Sequence, residues 1–200
     1  MLPPEYFYGK EQKLLSVYQE LEDFIMTDIS RRILQTGSMT ATADRLIWRL
    51  TQMGESRAAI EQKLQSLTKL AQPELRKILK DAVLTSWDND KDILLGINEN
   101  ISPPLKNSEV ISVMDAEFKK TLGELSNLTK TTIDQSQRDL INLLDEVDMR
   151  VASGVQSYNA AINDVLDRYA GEGIMVEYPH KTQRTLEAAV RCCVVTSMNQ

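Results

Sequence analysis

Few residues in this chain have the types and spacing that catalysis or metal binding requires. The one histidine, His180, follows Pro179 in a turn. A single histidine leaves any Ser-His or Cys-His scheme with one base to offer, and His180 has no evident orienting carboxylate. Cys192 and Cys193 are the only cysteines and are adjacent. Neighbouring cysteines bridge only across a strained backbone, because their side chains diverge, and a zinc site needs more ligands at other spacings. They read as small apolar residues of a helix, in a protein made in a reducing compartment. The run Trp87-Asp-Asn-Asp-Lys-Asp92 alternates like a calcium loop, but an EF-hand loop needs a central glycine and a glutamate at its twelfth position. Asp88 onward supplies neither. Carboxylate groups such as Glu20/Glu22/Asp23 and Asp145/Glu146/Asp148 fall where an amphipathic helix keeps its solvated face. There is no glycine-rich phosphate loop, nucleophile elbow or His-Glu-x-x-His motif. No catalytic, metal-ligating or cofactor-binding residue is therefore assigned, no cofactor is expected, and the expectation is a protein that is not an enzyme.

What remains is scaffold. The 200 residues carry a formal charge of -6 and 42% hydrophobic side chains, enough chain to bury roughly 70% of its unfolded surface. A sequence pI near 5.0 argues against a general nucleic-acid binder, since neutralising phosphates takes a surplus of Lys and Arg. No apolar run approaches the ~18–20 residues of a membrane span, and the N-terminus has neither the basic start nor the apolar core of a signal peptide.

Helical periodicity organises nearly all of the chain. An aromatic lead-in, Tyr6-Phe7-Tyr8, precedes a long helix from about residue 9 to 35, whose stripe is Leu14, Tyr18, Leu21, Ile25 and Ile29. Gly37 reads as its left-handed C-cap. The next stretch predicts three short helices: 40–53 ended by Gly54, 56–70 capped by Ser56, and one restarting at Pro73 as a first-turn proline. A further short piece through Ile93-Leu94-Leu95 ends at Gly96. Residues 97–107, with two asparagines and Pro103-Pro104, read as the linker between subdomains 1–96 and 108–200. The second half predicts helices over 108–128, 131–152, 155–169 and 182–198. Ile174–Tyr178 alternates as a β-arm that needs a partner strand from another chain or from sequence beyond this one. The fold class expected is all-α, a bundle of about seven to nine helices in two subdomains with at most one short β-arm near 174–178.

Several blocks carry a resemblance. Met1-Leu-Pro-Pro-Glu-Tyr6, the run from Leu21 to Ile33, Thr36-Gly-Ser-Met-Thr-Ala-Thr-Ala43 and Gln52-Met-Gly54 open it. It continues through Phe118 to Thr132, Val151-Ala-Ser-Gly154, Tyr158-Asn-Ala-Ala-Ile162, Val176-Glu-Tyr-Pro179, Leu186-Glu-Ala-Ala-Val-Arg191 and Thr196-Ser-Met-Asn-Gln200. In this order and spacing the chain resembles, over essentially its whole length, the phage minor capsid protein 2 family, minor head proteins of tailed phages and prophages of Gram-positive bacteria. The resemblance implies a structural virion component, encoded near the portal gene and incorporated at low copy during head assembly. Family members usually continue past Asn199-Gln200 into a further domain containing histidines. This sequence stops there, so a truncated product is expected and no activity of that domain is carried over.

The function expected is a structural minor head protein associated with the portal or the inner head surface. The alternatives are a cytoplasmic helical adaptor and the non-catalytic N-terminal part of a larger phage enzyme. The partners expected are the portal protein, then the major capsid protein, with self-association compatible; no specific nucleic-acid partner and no membrane are expected. Its place would be the virion, at the head interior or portal vertex, and the host cytoplasm during assembly. Aromatic and β-prone residues outside the main stripes, Tyr6, Phe7, Tyr8, Trp48, Ile174, Val176 and Tyr178, are the candidate partner-interface residues.

Overall fold

Leu14, Leu21, Ile25, Ile29 and Ile33 are all fully buried along one side of α1 (Gln12–Gln35), as their four- and seven-residue steps dictate. The computed structural model describes Tyr6 and residues 9–36, 42–97, 101–177 and 183–198. Gly37 lies outside the described residues. α1 ends where the Thr36 hydroxyl donates to the Ile33 carbonyl at 2.6 Å.

The chain then forms α2 (Thr42–Ile97), one helix of 56 residues where three or four short ones were expected. At 1.5 Å per residue it is about 84 Å long. Gly54 does not end it: the residue is exposed, and a Cβ added there would meet nothing. An interior glycine costs only about 1 kcal/mol. Pro73 lies inside the helix rather than at its first turn. The local cost of about 3 kcal/mol is offset because the next turns carry Leu75, Ile78, Leu79 and Ala82 into the core, and each large apolar side chain contributes about 1.5–3 kcal/mol. Ser56 caps nothing. It is buried, and its hydroxyl donates across to Asp28 of α1.

A 3-10 turn, Pro104–Lys106, leads into α3 (Ser108–Ala152), 45 residues without the break expected near 129–131. The Asn107 side chain caps it, accepting from the Glu109 N–H at 2.9 Å. The polar run that suggested a break is accommodated inside the helix. Thr121, Thr129, Thr131, Thr132 and Ser136 each donate a hydroxyl to the carbonyl four residues back, so buried threonines leave no orphan donor. α4 (Tyr158–Glu172), capped by Ser157, follows a turn at Gly154.

The expected β-arm finds its partner within the chain. β1 (Met175–Glu177) pairs antiparallel with β2 (Gln183–Thr185), Val176 opposite Arg184. Residues expected to open the last helix are therefore strand, and α5 (Leu186–Met198) begins later. Among the described residues there are thus five α-helices and one two-stranded sheet. The all-α class holds, but the count of seven to nine does not, because glycine, proline and threonine punctuated the sequence without breaking the helices.

Ion pairs give the directions. Lys13–Glu74, Lys63–Glu20 and Arg32–Glu55 run α1 antiparallel to α2. Arg76–Asp115, Arg57–Asp134 and Arg49–Asp145 do the same for α2 and α3. Two clusters fill the interior. One joins Leu14, Leu75, Phe118, Val176 and Leu186, and the other joins Ile25, Ile60, Leu144, Val165 and Ile174. Both take residues from either side of 97–107, the segment that turns α2 back into α3.

Candidate interaction surface

The expected interface residues divide sharply. Tyr6 is half-buried against the first cluster, its hydroxyl 3.4 Å from Thr85 Oγ1 and its ring 4.9 Å beneath the Lys10 ammonium. Trp48 is half-buried against the second cluster. Ile174 and Val176 are 1% and 2% exposed, so both lie inside the chain's own core. Phe7, Tyr8 and Tyr178 lie outside the described residues, as does His180.

The outward apolar residues are others, and apart from Leu70 in the middle of α2 they sit at two ends. Leu34, Leu50, Met149 and Val155 are exposed where α1 ends, α2 begins and α3 turns into α4. At the opposite end Ile93, Leu95 and Val113 are exposed on the paired ends of α2 and α3. Beyond Ala82 in α2 and before Phe118 in α3, Pro104 is the one fully buried residue among those described. These two helix ends form a finger that packs chiefly on itself. Helical periodicity missed both ends, since Ile93, Leu94 and Leu95 look like core when helix length and partner are unknown.

Charge separates the finger from the rest. Residues 86–117 hold seven acidic side chains and two lysines, a balance of -5 out of the chain's -6. The run first read as a possible ion loop, Asp88 to Asp92, is continuous helix, so its backbone does not fold around an ion. Among the described residues no group of three or more His, Cys, Asp or Glu is arranged to hold a metal.

Apart from exposed Arg57, raised by its hydrogen bonds to Asp134 and Glu61, the ionisable groups with displaced titration are wholly or partly interior. Burial pushes the Tyr18 phenol up to about 12, against a hydrogen bond with Thr129. Burial, with Glu124 and Cys192 nearby, pushes the Cys193 thiol up to about 11. Cys192 and Cys193 are both unbridged, and a thiol held that high is a poor nucleophile. Burial would raise Asp28, but hydrogen bonds from Arg32, Ser56 and Arg31, with the Arg32 charge, outweigh it and hold the carboxyl below the usual range. These groups tie helices together.

No helix among the described residues is long and apolar enough to cross a membrane. Comparison with curated proteins and with solved structures finds no match. The family model described as phage minor capsid protein 2 matches residues 2–200. Over essentially its whole length the chain belongs to the phage minor capsid protein 2 family, a structural family of the phage head, and its setting is the virion among other head proteins.

Proposed function

We propose that this chain is a low-copy structural component of a tailed-phage head that packs against the portal or the inner head surface during assembly. The family match over residues 2–200 carries the reading. The two apolar ends support it, because aliphatic side chains such as Leu50, Met149, Ile93 and Val113 gain stability once covered, at about 25 cal/mol per Å² of apolar surface. The work done is docking rather than chemistry: helix faces and helix ends meet a neighbouring head protein, the portal first and the major capsid protein second. With Ile174 and Val176 committed to the core and β1 paired within the chain, the helices rather than the arm supply the contact.

Mass spectrometry of purified virions, with co-sedimentation of the purified chain on assembled portal rings, tests this. The chain is expected in virions at far fewer copies than the major capsid protein and in the portal fraction. Its absence from virions would overturn the head assignment. Presence in virions without portal co-sedimentation would move the contact to the shell.

A further inference from the structure

A second unusual surface lies along the α2–α3 seam. Between Leu64, Ala71 and Leu75 of α2 and Leu122 and Leu125 of α3 runs an apolar groove of about 360 Å³ with Tyr18 of α1 at its floor. Gly123 stands on its lip, helical and exposed, and a Cβ added there would meet open space. The rim is basic. Lys119, Gly123, Ser126 and Lys130 follow one another at four-, three- and four-residue steps on α3, and Lys69, Gln72 and Arg76 at three- and four-residue steps on α2. Lys69, Lys119 and Lys130 are exposed; Arg76 pairs with Asp115 and lies 4.2 Å over the Phe118 ring.

Groove and finger are complementary in both chemistries. One is apolar with lysines flanking it, and the other presents Ile93, 67% exposed, five whole turns along α2 from Leu75 and so on the groove's face, with Asp92 next to it in the chain. Within one chain they cannot meet, since both lie along the same two continuous helices. We propose that the occupant of the groove is the finger of a second copy of this chain, and that two copies exchange fingers reciprocally in an antiparallel dimer. From Leu75 to Ile93 is 18 residues of helix, about 27 Å, so two copies overlapping by that length place each finger on the other's groove. A contact in which the same surfaces serve both partners closes under two-fold symmetry and stops at two. The acidic finger would repel a phosphate backbone, which leaves a basic protein surface as its complement.

The full chain tests this by analytical ultracentrifugation across a concentration series, with circular dichroism as the fold control. A reversible dimer is expected, weakened about tenfold or more between roughly 0.05 M and 0.5 M salt, as screening removes the charge contribution. Gly123→Leu, which fills the groove from a position with free space, and Ile93→Lys, on an exposed finger position, should each give monomer. Mixed together they should associate more tightly than either variant with itself but less tightly than the parent, because the first variant keeps its finger and the second its groove, which restores one of the two contacts. If Gly123→Leu misfolds, Ser126→Leu blocks the same groove and takes its place. A chain that stays monomeric throughout, a dimer indifferent to both variants, or a mixture that fails to associate would each overturn the proposal. It stands apart from the virion assignment, since purified chain alone reads it out.

Discussion

The Ser56 hydroxyl of α2 donates to Asp28 Oδ2 of α1 at 2.7 Å, inside a site where Asp28 is 3% and Arg32 4% exposed. The same carboxylate accepts from Arg32 Nε at 2.7 Å and Arg31 Nη2 at 2.6 Å, while Arg32 reaches on to Gln52 and Glu55 of α2. Every polar side chain in the cluster answers another. Removing Asp28 leaves the buried Arg32 with only the Gln52 amide and the 3.4 Å contact to Glu55, and breaking a buried pair costs up to about 3–5 kcal/mol. Asp28→Ala should therefore lower the stability measured by urea unfolding by about that amount. Ser56→Ala, which removes one neutral donor among several, should cost about 1 kcal/mol. Equal losses would show that the cluster is solvated and not buried.

Acid should find the same site. The folded-state pKa of Asp28 is depressed, so its contribution is fully present above the unfolded carboxyl value, about 3.9, and is lost as pH falls through the folded value. Asp28→Asn should thus be markedly less stable than the parent at pH 6, with the gap narrowing toward pH 2. Asp139 has the opposite sign. Burial raises it, with Glu172 adding and Gln135 and Arg138 opposing, so the folded state prefers the protonated form and ionisation above its folded pKa works against stability. Asp139→Asn keeps an acceptor for the Gln135 amide and should raise Tm at pH 7 but not at pH 3. A loss at pH 7 would mean that the charge is favourably paired.

Gly173 joins two constraints at the end of α4. Its φ is +68°, and an added Cβ would lie 3.3 Å from Glu22 Oε1, the oxygen that accepts from the Ile174 N–H at 3.0 Å. With ψ at -174° this is a positive-φ extended conformation that is essentially glycine-only, so alanine would meet a penalty of about 1–3 kcal/mol and push against the acceptor that fixes β1 beside α1. Gly173→Ala should cost at least that much by chemical denaturation. Gly54→Ala, where the backbone is helical and space is open, should instead stabilise by about 1 kcal/mol.

Much of the interior was legible in the sequence. The stripes Leu14–Ile33, Leu75–Ala82 and Leu140–Val147 are buried as their spacing requires, because a 3.6-residue period reports which face is dry without reference to any partner. Helix ends were not legible. Gly54, Pro73 and Thr129–Thr132 carry the local chemistry of breaks, and only tertiary packing decides that a helix continues through them. Two of the expected interface residues, Ile174 and Val176, lie in the core for a related cause. Val176 alternates like an exposed arm until Arg184 is seen opposite it, and Ile93 resembles core until α2 proves longer than the elements that cover it.

Pro73 separates the two readings of α2 by experiment. If a helix began there, its ring would replace an N–H that has no acceptor, and Pro73→Ala would be neutral or slightly destabilising. In the continuous helix Thr42–Ile97 the ring removes the hydrogen bond to the Lys69 carbonyl and crowds that carbonyl, a deficit of up to about 3 kcal/mol. Pro73 is exposed, so alanine leaves no cavity. Pro73→Ala should accordingly raise stability by about 1–3 kcal/mol, and the amides of the following turn should gain hydrogen-exchange protection. No change in stability, with exchange still fast on both sides of residue 73, would divide α2 there and restore the shorter helices.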